Sequence, residues 1–416
     1  MLGRRIVTAS LAAAATAPGV VLAGPKPPAS VFYNAVGPTL AWWRVDIAAA
    51  SLTRQGSVAL PALVQYAWKH PKLNVLYVAS SNFVPMGNPD GKHHLTAFRI
   101  DPGTGALTPF GEPVPIKARP IHISVDGKGA YILTAYNIPS SMSVHAINAD
   151  GSIGTEVKQT ATLDGGIYAH QIRMFPSNNA LILVSRGNNA TAAKPEDPGS
   201  LKVKRIQGGQ LTDIASVTPP SGGLGFGPRH VDFHPTKPWL FVSVERQNQL
   251  QVWRLDRDEL TTPPVHVVTT LANPDNRRPD QMVGPIHVHP NGRFVYLGNR
   301  ASGQIEVDGK KVAAGGENAI AVFRIDPVTG KPDMIQSIDT NGFHPRTFSI
   351  DPSGRMLTVA NLMAMPVRDG GSVRTQPATL SSYRIGSSGK LDHVRTTDIE
   401  TNGMTQWWSG FIPLAG

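Results

Sequence analysis

The stretch VDFHPTKPWLFVSVERQ, residues 231–247, reads as two short strands around a tight turn. Valine, phenylalanine and tryptophan fill the flanks, where branched and aromatic side chains suit a pleated surface. The His-Pro and Lys-Pro steps between them fix φ and start a turn. The same unit returns as YAWKHPKLNVLYVASSN from 66, HISVDGKGAYILTAYN from 122, IRMFPSNNALILVSRGN from 172, VHPNGRFVYLGNRASG from 288 and FSIDPSGRMLTVANL from 348. The six copies lie about 50 to 60 residues apart, a period that marks a repeat architecture.

A third strand and a glycine-marked turn follow each copy, as in HLTAFRIDPGTGALTPF from 94 and AIAVFRIDPVTGKPD from 319. This later half occurs once more, at LAWWRVD from 40, so it has seven copies against six of the earlier half. The termini resolve the mismatch: NGMTQWWSGFIP, residues 402–413, reads as a lone first strand and VFYNAVG, residues 31–37, as a lone second strand. A split copy closes a ring. The expected fold is all-β, a seven-bladed β-propeller of four-stranded antiparallel blades whose first blade is closed by strands from both termini. Two β-sandwiches would match the strand density but explain neither the period nor the split copy.

Residues 1–23 combine Arg4 and Arg5, a small apolar run, a Pro18-Gly19 break and a small-residue cleavage site, the pattern of a secretory signal peptide. The arginine pair leaves both general and twin-arginine export open. Residues 24–416 are expected to form a single propeller domain, periplasmic or secreted. No later apolar run nears the roughly 20 residues that span a bilayer, so no membrane insertion is expected after the leader is removed. The absence of cysteine excludes disulfides, thiol nucleophiles and thiolate metal sites. Of the formal charge of +10, two belong to Arg4 and Arg5 in an acid-free leader, which leaves +8 for the rest. That balance favours anionic ligands. Nucleic acid is not an expected partner, because no Lys/Arg run of five or aromatic-studded basic stripe occurs. A monomer is expected.

His70, His234 and His289 sit in the His-Pro turns and read as turn residues, and His122, His230 and His287 as first-strand residues bonded to nearby backbone. No HExxH, carboxylate cluster or helical His pair suggests a metal, and no Gly-x-Ser-x-Gly elbow or P-loop is present. No cofactor is expected.

Alignment of the copies by their turns places Gln65, Ile121, His170, Arg229, Ile286 and Arg346 at the start of the first strand. Ser81, Tyr136, Arg186, Glu245, Arg300 and Asn361 fall at the end of the second. The first strand leaves one face of the disc and the second returns to it, so both rows lie on one rim near the axis. Glu245 with Arg229, Arg300, Arg186, Arg346 and His170 has the parts for general acid/base work and oxyanion stabilisation. Arginines outnumber the carboxylate, and guanidinium forks suit carboxylate or phosphate, so the cleft reads as a site for an anion. The alternative is a set of ion pairs that only satisfy one another.

PRHVDFHP-x-x-x-WLFV-x-x-E, GNRASG and GFHPRTFSIDPSGRMLTVAN together resemble the seven-bladed propeller lactonase family, which includes bacterial 6-phosphogluconolactonases and fungal carboxy-muconate cyclases. The resemblance covers nearly the whole chain after the leader. It implies an active site of His170, Arg229, Glu245 and Arg300, and the aligned rows add Arg186, Arg346, Tyr136 and Asn361 as expected substrate-binding residues. With the leader it leads to the expectation of an exported lactonase acting on a sugar-type or other anionic lactone, with Glu245 and His170 as base and acid in either order. A phosphorylated pentose-pathway lactone is cytoplasmic, so export favours an unphosphorylated aldonolactone or a carboxylated lactone. Two alternatives remain, a muconate-type lactonising cyclase and a non-catalytic binding scaffold. The connections TAAKPEDPG, SGQIEVDGKKVAAGGEN and MAMPVRDGGSVRTQP are long and are expected to lie over the cleft.

Overall fold

The computed structural model describes residues 29–82 and 91–414, and the leader assigned to residues 1–23 lies outside them. The opening stretch forms the two inner strands of a blade, Pro228–Phe233 and Trp239–Val244, followed by Gln249–Asp256. The outer edge of that blade is split between Glu259–Leu260 and His266–Thr269, both paired with the third strand. WLFVSV is buried at every position, which is why it reads as a continuous apolar run and not an alternating one.

Seven such sheets make the ring. In blade 1 the C-terminal strand Ser409–Pro413 is innermost and pairs with Ser30–Val36, with Thr39–Asp46 and Ser51–Ala59 outside it. The register runs from Ser30 opposite Pro413 to Asn34 opposite Ser409, so the expected closure by both termini is observed. Blades 2 to 7 open with Leu63–Lys69, Pro120–Val125, Ala169–Met174, Pro228–Phe233, Met282–Val288 and Phe343–Ile350.

Among the described residues, seven clusters of buried apolar side chains hold the ring, one at each interface between adjacent blades. Ile182 and Val184 meet Val231, Leu240 and Trp253 between blades 4 and 5. At the closure Phe32 and Phe411 have ring centroids 4.8 Å apart, and Leu380 of blade 7 joins their cluster. The turn histidines tie neighbouring blades: Nε2 of His70, His234 and His289 bonds the carbonyls of Gly129, Gly292 and Gly354 at 3.1, 2.9 and 2.8 Å. Their Nδ1 atoms accept backbone amides of their own turns. The structural reading of these three residues therefore holds.

One irregularity positions the rim side chains. In blades 2, 3, 4, 5 and 7 the pairing of the two inner strands slips by one residue near the cavity face, and the extra residue is Gln65, Ile121, His170, Arg229 and Arg346 in turn. A β-bulge re-aims the side chain it carries. In blade 6 the slip lies between Val283 and Ile286, so Ile286 is an ordinary paired residue opposite Leu297 and not a rim position. Gly284 stands within this slip, and a Cβ there would meet Arg300 Nε at 3.3 Å. The missing side chain leaves room for that guanidinium.

The long connections of blades 6 and 7 form their own hairpins, Gln304–Val307 with Lys310–Ala313 and Met365–Asp369 with Ser372–Gln376. They touch through Gln304 Nε2 and Met365 Sδ at 3.2 Å. No residue of these hairpins or of TAAKPEDPG lines the cavity described below, contrary to the expectation that they lie over it.

Candidate active site

At the bulged end of the inner strands the ring opens into a cavity of about 480 Å³, a size that suits a small ligand. Blade 4 supplies His170 from its bulge and Arg186 from the end of the second strand, blade 5 supplies Glu245, blade 6 Arg300 and blade 7 Arg346. Arg229 is not part of the lining; it is almost completely buried beside Glu245.

Glu245 is the hub. Arg186 Nη1 donates to Oε2 at 3.1 Å, and Arg300 Nη2 bonds Oε1. Arg229 Nε lies 3.1 Å from Oε1 as an ion pair, without the alignment of a hydrogen bond. Burial by itself would raise the Glu245 carboxyl, but Arg300, Arg229 and Arg186 outweigh it and hold the group below the usual carboxylate range. Glu245 is therefore an ionised acceptor with its oxygens engaged. Arg229 is lowered as well: burial and the neighbouring Arg300 push it down to about 9, with Glu245 opposing.

His170 lies in a different electrostatic setting. Burial, then Arg229, Arg186, Arg346 and Arg300, keep its imidazole well below the ordinary range, so it is neutral. Its Nδ1 is buried without a partner, and its ring stands 5.2 Å from that of His230 and 6.4 Å from Tyr168. Tyr168 lies under the Arg186 guanidinium at 4.0 Å. His344 Nε2 accepts from Arg300 Nη1 at 3.2 Å, which requires that nitrogen to be unprotonated. Tyr168 and His344 both take left-handed backbone, φ 59° and 57°, each two residues before a bulge. Such conformations cost energy and collect where side chains must be aimed.

The opposite side of the cavity is built from Arg346, Arg119, Gln65 and Trp407. Arg346 lies over the Trp407 ring at 3.6 Å and Arg119 at 5.7 Å. Gln65 Oε1 accepts from both Arg119 Nε, at 3.0 Å, and Trp407 Nε1, at 3.1 Å.

Six of the eight residues singled out from the sequence thus gather here, five on the wall and Arg229 behind it. Tyr136 and Asn361 do not. Tyr136 is fully buried with its hydroxyl on Ser143 Oγ at 2.7 Å, and Asn361 Nδ2 donates to Thr340 O and Thr379 Oγ1, both at 2.8 Å. Both are opposite a residue just before the bulge, Pro120 and Pro345, as are Ser185 and Val244 one place before Arg186 and Glu245. A one-residue offset along a strand turns the side chain to the other face. Arg119, Tyr168 and Trp407 were missed, although the first two fall directly before a first strand and Trp407 two residues before one. The Arg-Pro step at 119–120 mirrors the Pro-Arg steps at 228–229 and 345–346 and was the available signal.

Among the described residues no group of acidic, histidine or cysteine side chains can hold a metal, and no helix is long and apolar enough to cross a membrane.

A ring of seven blades with a cationic cavity around one carboxylate defines a small-molecule site at a propeller mouth. The family described as "Lactonase, 7-bladed beta-propeller" matches residues 33–367, and the chain belongs to it, with lactone hydrolase as its enzyme class. The chain is 26% identical over 311 residues to the 6-phosphogluconolactonase of Bacillus subtilis, covering 71% of this chain and 80% of that one. It is also 26% identical over 350 residues to the 6-phosphogluconolactonase of Pectobacterium carotovorum, covering 83% and 91%. Among solved structures, the periplasmic gluconolactonase of Pseudomonas aeruginosa superposes with a TM-score of 0.70 at 21% identity, over 93% of this chain and 99% of that one. At that identity the likeness bears on the fold.

Proposed function

We propose that this protein is an exported lactonase that hydrolyses a sugar-type lactone carrying negative charge, with His170, Arg229, Glu245 and Arg300 as its reactive centre. The observation that carries this reading is one ionised carboxylate held by three guanidiniums beside a neutral imidazole, in a cavity of sugar size. The division of labour follows from charge. Glu245 has its oxygens taken up by arginines and a lowered pKa, which makes it a poor proton acceptor and a good positioning group. His170 is lowered too, but it is neutral, stands on the cavity wall and has its Nδ1 without a partner, so the role of base falls to it.

In this mechanism a water attacks the lactone carbonyl carbon as His170 accepts its proton. Arg300 and Arg186, both on the cavity wall, stabilise the resulting oxyanion. The ring C–O bond then breaks, and the imidazolium returns the proton to the departing alkoxide. The product is a hydroxy acid, which ionises. An imidazolium is disfavoured among so many arginines, and the substrate's own negative charge offsets that repulsion when it binds.

Export rests on the leader read in residues 1–23, and the relatives' names support the lactone class. The test follows acid release from gluconolactone and 6-phosphogluconolactone in a pH-stat, with spontaneous opening subtracted. His170→Asn should lower kcat by about 100-fold or more, the scale of a lost general base. Failure of the unmodified protein to open any lactone of the panel would refute the proposal.

A further inference from the structure

We propose that the opposite mouth of the ring holds a second ligand site, a cavity roofed by His230 that takes a small aromatic carboxylate. None of the four residues of the proposed reactive centre lines it, so the inference goes beyond the lactonase reading and is tested without turnover.

The inner strands turn side chains to the axis below the bulges as well. Tyr66, His230 and Thr347 directly follow the bulge residues of blades 2, 5 and 7, and Trp68, Asp232 and Ser349 stand two places further on, toward the turns. There the axis opens again into a cavity of about 230 Å³. That is about half of the volume at the reactive mouth, and it limits the occupant to a small molecule.

The roof is a directed donor. Arg229 Nη1 lies 3.3 Å from His230 Nδ1, and a guanidinium only donates, so Nδ1 accepts and the ring proton sits on Nε2. His230 is more than nine-tenths buried, and its Nε2 bonds no described residue. It lines this cavity and not the one at the reactive mouth. So buried an N–H calls for an acceptor, which an occupant of the cavity would supply. Tyr66 also lines the cavity, and its hydroxyl has no hydrogen-bond partner among the described residues.

Charge selects the kind of acceptor. Among the described residues no acid lines the cavity, whereas Lys69 does, its Nζ donating to the carbonyls of His70 and Leu73 at the turn. Asp232, the nearest acid along the blade 5 strand, is engaged by Arg173 and by the amides of Phe233 and Val288. Burial, then Arg229, His170, His122 and Arg346, lower the His230 imidazole, and no acid opposes them. An anion beside Nε2–H is favoured in such a field over a neutral acceptor. Tyr66, Trp68, Trp408, Phe348 and Phe411 supply most of the remaining wall, whose aromatic faces and edges suit a flat ring. A ring with one carboxylate satisfies both parts, with its carboxylate toward His230 and Tyr66.

The probe is benzoate, compared with benzyl alcohol, which keeps the ring, and acetate, which keeps the charge. Calorimetry on the unmodified protein at pH 7 should show benzoate bound about tenfold or more tightly than either. Tyr66→Phe should weaken benzoate by about three- to tenfold and leave benzyl alcohol within about twofold, since it removes one donor to a charged acceptor. Crystals with 4-bromobenzoate give the location, and the bromine should mark the cavity lined by Trp68 and Trp408. Bromine found only at the arginine-lined mouth, or no binding of benzoate, overturns the site. Equal affinity for benzoate and benzyl alcohol, or for benzoate and acetate, overturns it too, because the donors or the aromatic wall would then be idle. Unchanged benzoate affinity in Tyr66→Phe has the same force. The Tm of unliganded Tyr66→Phe separates a lost fold from a lost contact, and the bromine position tests the site in the unmodified protein whatever that variant does.

Discussion

Acidification from pH 7 to 5.5 should remove a large part of the stability of this ring before its carboxylates titrate. His122, His170, His230 and His344 are buried, and all four are held well below the ordinary imidazole range. Burial is the first cause at each. Arg173 and Arg229 then act on His122, and Arg229, Arg186, Arg346 and Arg300 on His170. Arg229, His170, His122 and Arg346 act on His230, and Arg300, Arg346 and Arg229 on His344. In the unfolded chain each imidazole returns to about 6.5. The unfolded state therefore binds protons that the folded state refuses, and stability falls as the pH drops through that value. Between pH 7 and 5.5 each histidine withdraws about 1.2 kcal/mol, together about 5 kcal/mol against a typical total of about 5 to 15. Glu245 has a lowered pKa and adds its own loss only further down, below 4.5. Urea unfolding at pH 7, 6.5, 6 and 5.5 gives the proton uptake as the slope of stability against pH. These four groups contribute an uptake that approaches four protons near pH 5.5, and His145 and His287, which burial also lowers, add to it. His122→Phe should reduce it by about one, since both ring nitrogens of His122 are buried without a partner. An uptake of less than one proton would show that these imidazoles exchange protons with solvent in the folded state, and the electrostatic account of the axis would fail.

Other outcomes follow from the same geometry. Glu245→Gln removes the one carboxylate that three guanidiniums share, so it should cost about 3 to 5 kcal/mol in urea unfolding at pH 7, the penalty of an uncompensated buried charge. Its kcat should also fall by about 100-fold or more, as positioned donors lose their anchor. Tyr136→Phe, by contrast, should leave kcat and KM for any lactone substrate unchanged and cost about 1 kcal/mol for the lost Ser143 bond. A change in KM there would restore Tyr136 to the substrate site.

The ring was legible because its signals are local and repeated. A His-Pro or Asp-Pro turn between two apolar runs needs no distant information, and the lone halves VFYNAVG and SGFIP disclosed the closure that pairs Asn34 with Ser409. The site was legible as far as the register was counted correctly. Arg186, Glu245 and Arg300 each lie six residues beyond the first residue of the second strands that begin at Ala180, Trp239 and Phe294. Tyr136 and Asn361 lie only five beyond Tyr131 and Met356, and that single step sends them into the blades. The long connections misled for another reason: length says that a loop leaves the sheet, and nothing in SGQIEVDGKKVAAGGEN says which way its hairpin leans.

Most of the chemistry of the cavity comes from one structural device used several times. An antiparallel hairpin alone would turn residues at the start of the first strand alternately to the two faces of its blade. The extra residue in blades 2, 4, 5 and 7 breaks that alternation and turns Gln65, His170, Arg229 and Arg346 toward the axis, where the neighbouring blades do the same. Blade 3 spends the position on Ile121, an apolar wall residue. Blade 6 has Gly284 within its slip, and the vacated space admits Arg300 from the next strand to reach Glu245. The ring can therefore change the chemistry of its cavity one residue at a time, because each bulge side chain faces the axis while the apolar contacts between blades lie behind it. That separation explains how the cavity, among the described residues, can gather five arginines around a single carboxylate: the cost of gathering those charges falls on the axis, and the seven apolar interfaces that hold the ring bear none of it directly.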